Sequence, residues 1–139
     1  MAVVLKEISS DHIDAVSIKR LVKTPDNGAL LEFHGIVRNH DAGREVVRLE
    51  YECHETALLV LDQISNEIER KFPQVQFAIS HRLGSLEIGD LAFYVVVASA
   101  HRDAAFEACR LLVEEVKEKI PVWKNQIYKD GSNEWVNSA

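Results

Sequence analysis

The run Phe93-Tyr94-Val95-Val96-Val97-Ala98 constrains the fold of this chain more than any other stretch. Six apolar residues without polar alternation read as a strand at the centre of a sheet, because a strand with one wet face would alternate. A long amphipathic helix follows, from about Arg102 to Lys119. Its apolar stripe is Phe106, Cys109, Val113, Val116 and Ile120, at alternating spacings of 3 and 4. Pro121 has no N–H to donate and restricts the residue before it, so the helix must end there.

Other elements read from the same signals. Val3 to Ile8 alternates as an opening strand, and Ser10-Asp11 is placed to cap a short helix running to about Val22. Thr24-Pro25-Asp26-Asn27-Gly28 has turn composition. Ala29 to Val37 and Val46 to Cys53 read as strands around a polar hairpin loop, Arg38 to Arg44. The segment His54 to Phe72 reads as a helix on Leu58, Leu61, Ile64 and Ile68, closed by Pro73. Val75 to His81 is a strand, joined to the central one by Gly84-Ser85-Leu86-Glu87-Ile88-Gly89-Asp90 as a loop. Trp123 to Tyr128 reads as a strand with Trp123 in the core and Lys124 pointing the opposite way. A turn over 129–133 leads to a short last strand, Glu134-Trp135-Val136. Strands and two long helices alternate irregularly, which indicates an α+β class. The length of 139 residues suits one domain, 1–139, with a core of useful size.

Bulk properties narrow the function classes. A net charge of −6 disfavours a general nucleic-acid or anionic-membrane binder but leaves room for a local anion pocket. No segment approaches the roughly 20 apolar residues of a membrane span, and the N-terminus carries no secretion pattern. Cys53 and Cys109 lack CxxC spacing, which suits a reducing, cytoplasmic compartment. No histidine pair has the i, i+4 spacing of a helical zinc site, so no metal is expected. Phosphate loops, dinucleotide loops and nucleophile elbows are missing from the sequence, and no cofactor is expected.

Cations cluster at the ends of three elements, where sites are usually built: Arg38-Asn39-His40, His101-Arg102, and Lys117 with Lys124. Cations in the first turn of a helix conflict with its partial positive charge, and an anionic ligand at the N–H groups resolves that conflict. Ser99 is placed to cap this helix, and His101-Arg102 would otherwise simply face water. Lys117 lies one position off the apolar stripe. A lysine at a helix C-terminus complements the dipole and can snorkel beside a core, yet lysine is also the side chain most readily turned into a base, nucleophile or anion clamp. Lys119, with Glu115 and Glu118 beside it, fits the structural role better.

Several segments together carry a family resemblance. They are Gly35-Ile36-Val37-Arg38-Asn39-His40, Leu49-Glu50-Tyr51-Glu52, His81-Arg82-Leu83-Gly84 and Ser99-Ala100-His101-Arg102 with Ala105-Phe106-Glu107-Ala108. Lys117 through Lys124, Asp130-Gly131 and Trp135-Val136 complete the set, in order, across about residues 28 to 136. The chain resembles the large, catalytic subunit of molybdopterin synthase. That resemblance implies an α/β-hammerhead with an extra antiparallel subdomain. It also implies a sulfurtransferase of molybdenum cofactor biosynthesis that converts cyclic pyranopterin monophosphate to the dithiolene molybdopterin. Sulfur would come as a thiocarboxylate on the C-terminal Gly-Gly of a small ubiquitin-like carrier, bound at each end of a homodimer to make a heterotetramer.

By matching position, Lys117 is the candidate catalytic lysine and Lys124 its support. Arg38, His101 and Arg102 match substrate-binding positions, together with Ile36 and Val37 beside Arg38 and Asn125-Gln126 after Lys124. Phe33 and Val113 match residues around the carrier's tail. Ile36 stands where a lysine is frequent in the family, and Asn125-Gln126 replace a common basic–acidic pair. The rival reading is a non-catalytic module that binds a ubiquitin-like tail or an anionic metabolite.

Overall fold

The computed structural model describes residues 3–136. Its first sheet has four strands in the order β1-β5-β7-β2: β1 Val3–Ser9, β5 Gln76–Arg82, β7 Leu91–Ser99 and β2 Ala29–Ile36. The β1–β5 pair is parallel, while β7 pairs antiparallel with both β5 and β2. The run read as a central strand is therefore central. Phe93, Val95 and Val97 face one core cluster and Tyr94, Val96 and Ala98 the other, so alternate residues are buried on opposite faces. This explains a run without polar alternation.

Helix α1 (Ala15–Val22) covers one face through Ile18 and Val22. It begins later than Ser10-Asp11 suggested. Asp14 is the cap, accepting from the Ser17 backbone N–H at 3.1 Å and the Ser17 hydroxyl at 2.7 Å. Helices α2 (Ala57–Lys71) and α3 (Arg102–Lys119) cover the other face. The bounds of α3 agree with the sequence reading, and both stripes are buried as read except at their first residue. In α2 the buried positions are Ala57, Leu61, Ile64 and Ile68, with Leu58 50% exposed. In α3 small residues, Ala105 and Ala108, take the inner face and leave Phe106 57% exposed. Alanines there let the helix lie close on the sheet, so the aromatic ring one position along is displaced outward.

The second sheet is antiparallel. Strand β4 (Arg44–Cys53) is flanked on one side by β8 (Val122–Tyr128) and then β9 (Asn133–Val136). On its other side lie β3 (His40–Asp41) and β6 (Gly84–Glu87). β3 and β4 form a tight hairpin whose corner residues, Ala42 and Gly43, both have positive φ, as a type I′ turn requires. The architecture is α+β, an α/β-hammerhead with an antiparallel subdomain. Leu49, Tyr51, Leu86, Val122 and Tyr128 from the second sheet join the cluster under α2 and α3, so the two sheets share one core.

Strand β6 corrects the loop expected over 84–90. Leu86 is fully buried opposite Leu49, and Gly84 and Gly89 turn the chain with φ of 89° and 90°. The Asp90 carboxylate accepts from the Glu87 N–H at 2.9 Å and from Arg82 at 3.3 Å, fastening the strand's exit to β5. A four-residue strand with one buried side chain is too short to show a period. Leu86→Ala should destabilise the protein by about 2–5 kcal/mol, as for other fully buried leucines, measured by denaturant unfolding. A loss below about 0.5 kcal/mol would mean that β6 is not part of the core.

Candidate active site

The C-terminal end of β2, the β3–β4 hairpin, the end of β5, the start of β7, the last turn of α3 and β8 converge on one cleft of about 300 Å³. Its walls come from both sheets. Ile36, Val37 and Arg38 enter from the end of β2, and Asp41 from the hairpin. Tyr51, His81 and Phe93 line it from β4, β5 and β7, and Lys117, Lys124 and Gln126 from α3 and β8. Lys124 and Gln126 share a strand face, as the period of two requires. Pro121 ends α3 so that the chain reverses into β8 and brings Lys124 back beside Lys117.

The charge is mostly positive and ordered by one carboxylate. Asp41 lies 3.2 Å from the Arg38 guanidinium and accepts from the Gln126 side-chain amide at 2.9 Å. The Gln126 hydrogen bond, followed by the charges of Arg38, Lys124 and His40, holds the Asp41 carboxyl below its usual range. Lys117 keeps solvent access at the rim, its amine 5.9 Å from the centre of the Phe93 ring. Desolvation by the cleft walls lowers its pKa, helped by Arg38 and opposed by Glu114. Lys124 is lowered by desolvation too, and by the charges of Lys117 and Arg38, against Asp41. Lys119 behaves oppositely. It pairs with Glu115 at 2.7 Å, a contact that raises its pKa.

The structure thus brings together Ile36, Val37, Arg38, Lys117, Lys124 and Gln126. Phe33 and Val113 lie in an adjoining groove, also of about 300 Å³, with Leu31, Phe106 and Cys109. The Phe33 and Phe93 rings meet edge-on at 5.7 Å, linking groove and cleft. Three sequence-based candidates fall elsewhere within the chain. Asn125 faces the other side of β8 and accepts from Asn133 at 3.0 Å. His101 and Arg102 are exposed at the far end of α3 and do not line the cleft. His101, not Ser99, occupies the cap position, and the Ser99 hydroxyl donates to the His101 carbonyl. Trp123 is half-buried, short of the core position expected for it.

Sequence reasoning missed Asp41, Tyr51, His81 and Phe106. Asp41 was legible only as part of a polar hairpin, and Phe106 was assigned to the core. His81 stood at a strand end in a matching segment, but nothing in the sequence showed that its ring would be 1% exposed and face the lysines. Among the described residues no group of three or more His, Cys, Asp or Glu could hold a metal ion. No helix among them is long and apolar enough to cross a membrane.

Residues 8–119 match the family model described as "MoaE protein". The chain belongs to the MoaE family. A molybdopterin synthase catalytic subunit from Bacillus subtilis (strain 168) is 40% identical over 131 residues, covering 94% of this chain and 83% of that one. The crystal structure of molybdopterin synthase from Staphylococcus aureus superposes with a TM-score of 0.87 at 34% identity, covering 94% and 95% of the two chains. A chain in the complex of subunits 1 and 2 of molybdopterin-converting factor from Helicobacter pylori 26695 shares the fold, with a TM-score of 0.76 at 22% identity, over 94% and 89%. The curated MoaE relatives are thus catalytic subunits of an enzyme of molybdenum cofactor biosynthesis, and the cleft lies within the part of the chain they match.

Two measurements test the electrostatics. Arg38→Gln removes a charge that lowers both lysines, so the pKa values of Lys117 and Lys124 should rise together. Titration of the side-chain amines by NMR would show this, and unchanged values would mean that Arg38 does not reach them. The second concerns His81, whose pKa falls from 6.5 to about 4, mainly by desolvation. The unfolded chain takes up this proton first on acidification. The stability contributed by neutral His81 is therefore complete above pH 6.5 and lost as pH falls toward about 4. Denaturant unfolding across that window should show the decline, and His81→Asn should flatten it.

Proposed function

We propose that this chain is the catalytic subunit of a molybdopterin synthase and that the cleft holding Lys117 and Lys124 is its active site. In this reading the chain converts cyclic pyranopterin monophosphate to molybdopterin, taking sulfur from the thiocarboxylate of a small ubiquitin-like carrier in the cytoplasm. The observation that carries it is the juxtaposition of two lysines of lowered pKa with Arg38, beside an apolar groove.

The chemistry suits these groups. The substrate's phosphate and the carrier's thiocarboxylate are both anions, and arginine and lysine hold such groups by charge-assisted hydrogen bonds. A lysine whose pKa is lowered gives up and recovers a proton more readily during carbon–sulfur bond formation. The carrier supplies the sulfur, so the chain needs no nucleophilic cysteine. Burial raises the pKa of Cys53 and Cys109, which leaves both as poor thiolates. The carrier's Gly-Gly tail, which has no side chains, would run along the groove past Phe106, Val113 and Phe33.

His101 and Arg102 fit this site through a second copy of the chain. They precede Lys117 by 16 and 15 residues on an unbroken helix, and a helix rises about 1.5 Å per residue, which places the His101 and Lys117 backbones roughly 24 Å apart. A two-fold dimer would let His101 and Arg102 of one protomer complete the cleft of its partner, twice over. The rival reading, a binding module without catalysis, uses the same cleft but makes no demand on the position of the amine.

Lys117→Ala should lower dithiolene formation by about 10²-fold or more, the usual range for a general acid–base group, while thermal unfolding stays near wild type. Lys117→Arg should be nearly as inactive, whereas a binder would tolerate it. Mixing Lys117→Ala with His101→Ala protein and allowing subunits to exchange should restore at most about half of wild-type activity, because each mixed dimer carries one intact site. Turnover by folded Lys117→Ala protein would remove this lysine from the mechanism, and exchange without recovery would remove the shared site.

A further inference from the structure

His81 lines the cleft with the properties of a binding group. A backbone carbonyl can only accept, so the 2.9 Å contact between Nδ1 and the Arg82 carbonyl places the proton on Nδ1. In the neutral ring Nε2 then carries a lone pair and can only accept. That atom is buried and, among the described residues, has no hydrogen-bond partner. An unsatisfied buried acceptor is costly, and where it persists a ligand or a water commonly completes it.

The surroundings keep the ring neutral and fixed. Tyr51 packs against it edge-on at 5.2 Å, and Phe93 lies tilted at 5.6 Å. Lys117 is the charged group whose field reaches it, and a second cation beside that ammonium is disfavoured. The rest of the cleft is rich in donors. Arg38, Lys117 and Lys124 cannot accept at all while charged. The Asp41 carboxylate is already engaged by Arg38 and Gln126. The cations suit a phosphate or a thiocarboxylate, but a reduced pterin also presents ring N–H and amino donors that they would repel.

We propose that His81 is a substrate-binding residue whose Nε2 accepts a hydrogen bond from a ring N–H or amino group of the pterin. This rests on the molybdopterin synthase reading and assigns the pterin's donor edge to the floor of the cleft. The anionic groups are thereby left to the lysines and Arg38. The acceptor is neutral, so its contribution should not vary with pH between about 6 and 8, well above the His81 pKa of about 4.

The test is His81→Asn in the full chain, assayed with thiocarboxylated carrier and the cyclic pterin. Asparagine keeps a donor for the Arg82 carbonyl and withdraws the acceptor at the Nε2 position. The KM for the pterin should rise about tenfold or more, as for loss of one buried hydrogen-bond partner, with the KM for the carrier unchanged. His81→Gln, whose longer amide can return an oxygen to that position, should recover part of the loss. His81→Phe provides the same removal with the ring volume retained if the asparagine variant fails to fold. An unchanged pterin KM in a folded variant would overturn the proposal and leave Nε2 to a water. A change confined to kcat, with its pH profile displaced, would also overturn it, since His81 would then act on Lys117. Wild-type protein without any turnover would instead sink the underlying reading, a distinguishable result.

Discussion

Burial of β7 on both faces is the constraint from which the rest of the structure follows. Its pairing with β5 and β2 makes it an inner strand of the first sheet, and its two sets of side chains demand cover above and below. Helix α1 supplies one cover, and α2 with α3 the other. Each fully buried valine or phenylalanine contributes about 1.5–3 kcal/mol relative to exposure, so the helices are held where α3 must end over the start of β7. Lys117 is thereby delivered to Phe93, and the reversal at Pro121 delivers Lys124 to the same place.

The second sheet turns that arrangement into a site. Without β4 and β8 the end of α3 would be open surface, and its lysines would keep ordinary solvation. The sheet walls desolvate them, and Arg38 adds repulsion, which together lower both pKa values. Asp41 moderates this charge. Its bonds to Arg38 and Gln126 tie the β3–β4 hairpin to β8, giving the cationic cluster a fixed wall.

Charge and hydrogen-bonding capacity are divided within the cleft. The donors gather where two anions are expected to meet, while a buried acceptor with no hydrogen-bond partner among the described residues, His81 Nε2, sits on the floor between two aromatic rings. Such a division can orient an asymmetric ligand. The apolar groove beside Phe33 gives a third, distinct surface, and the Phe33–Phe93 contact makes it continuous with the cleft.

The sequence by itself determined the elements whose signals are local. Apolar periodicity and Pro121 marked the extent of α3, the apolar run marked β7, and strand alternation placed Lys124 opposite Trp123. The segments shared with the family pointed to Arg38, Lys117 and Lys124. Only the tertiary structure decided how each apolar stripe begins, because Ala57 and Ala105 take the inner positions that the spacing gave to Leu58 and Phe106. It also decided that 84–87 pairs as a strand, that Asn125 turns away while Gln126 faces in, and that His81 is buried and neutral, its Nε2 without a hydrogen-bond partner among the described residues. The reason is common to all of these. A helix or a turn is set by neighbours a few residues away, whereas burial, desolvation and the surroundings of a buried acceptor depend on contacts between strands and helices distant in sequence.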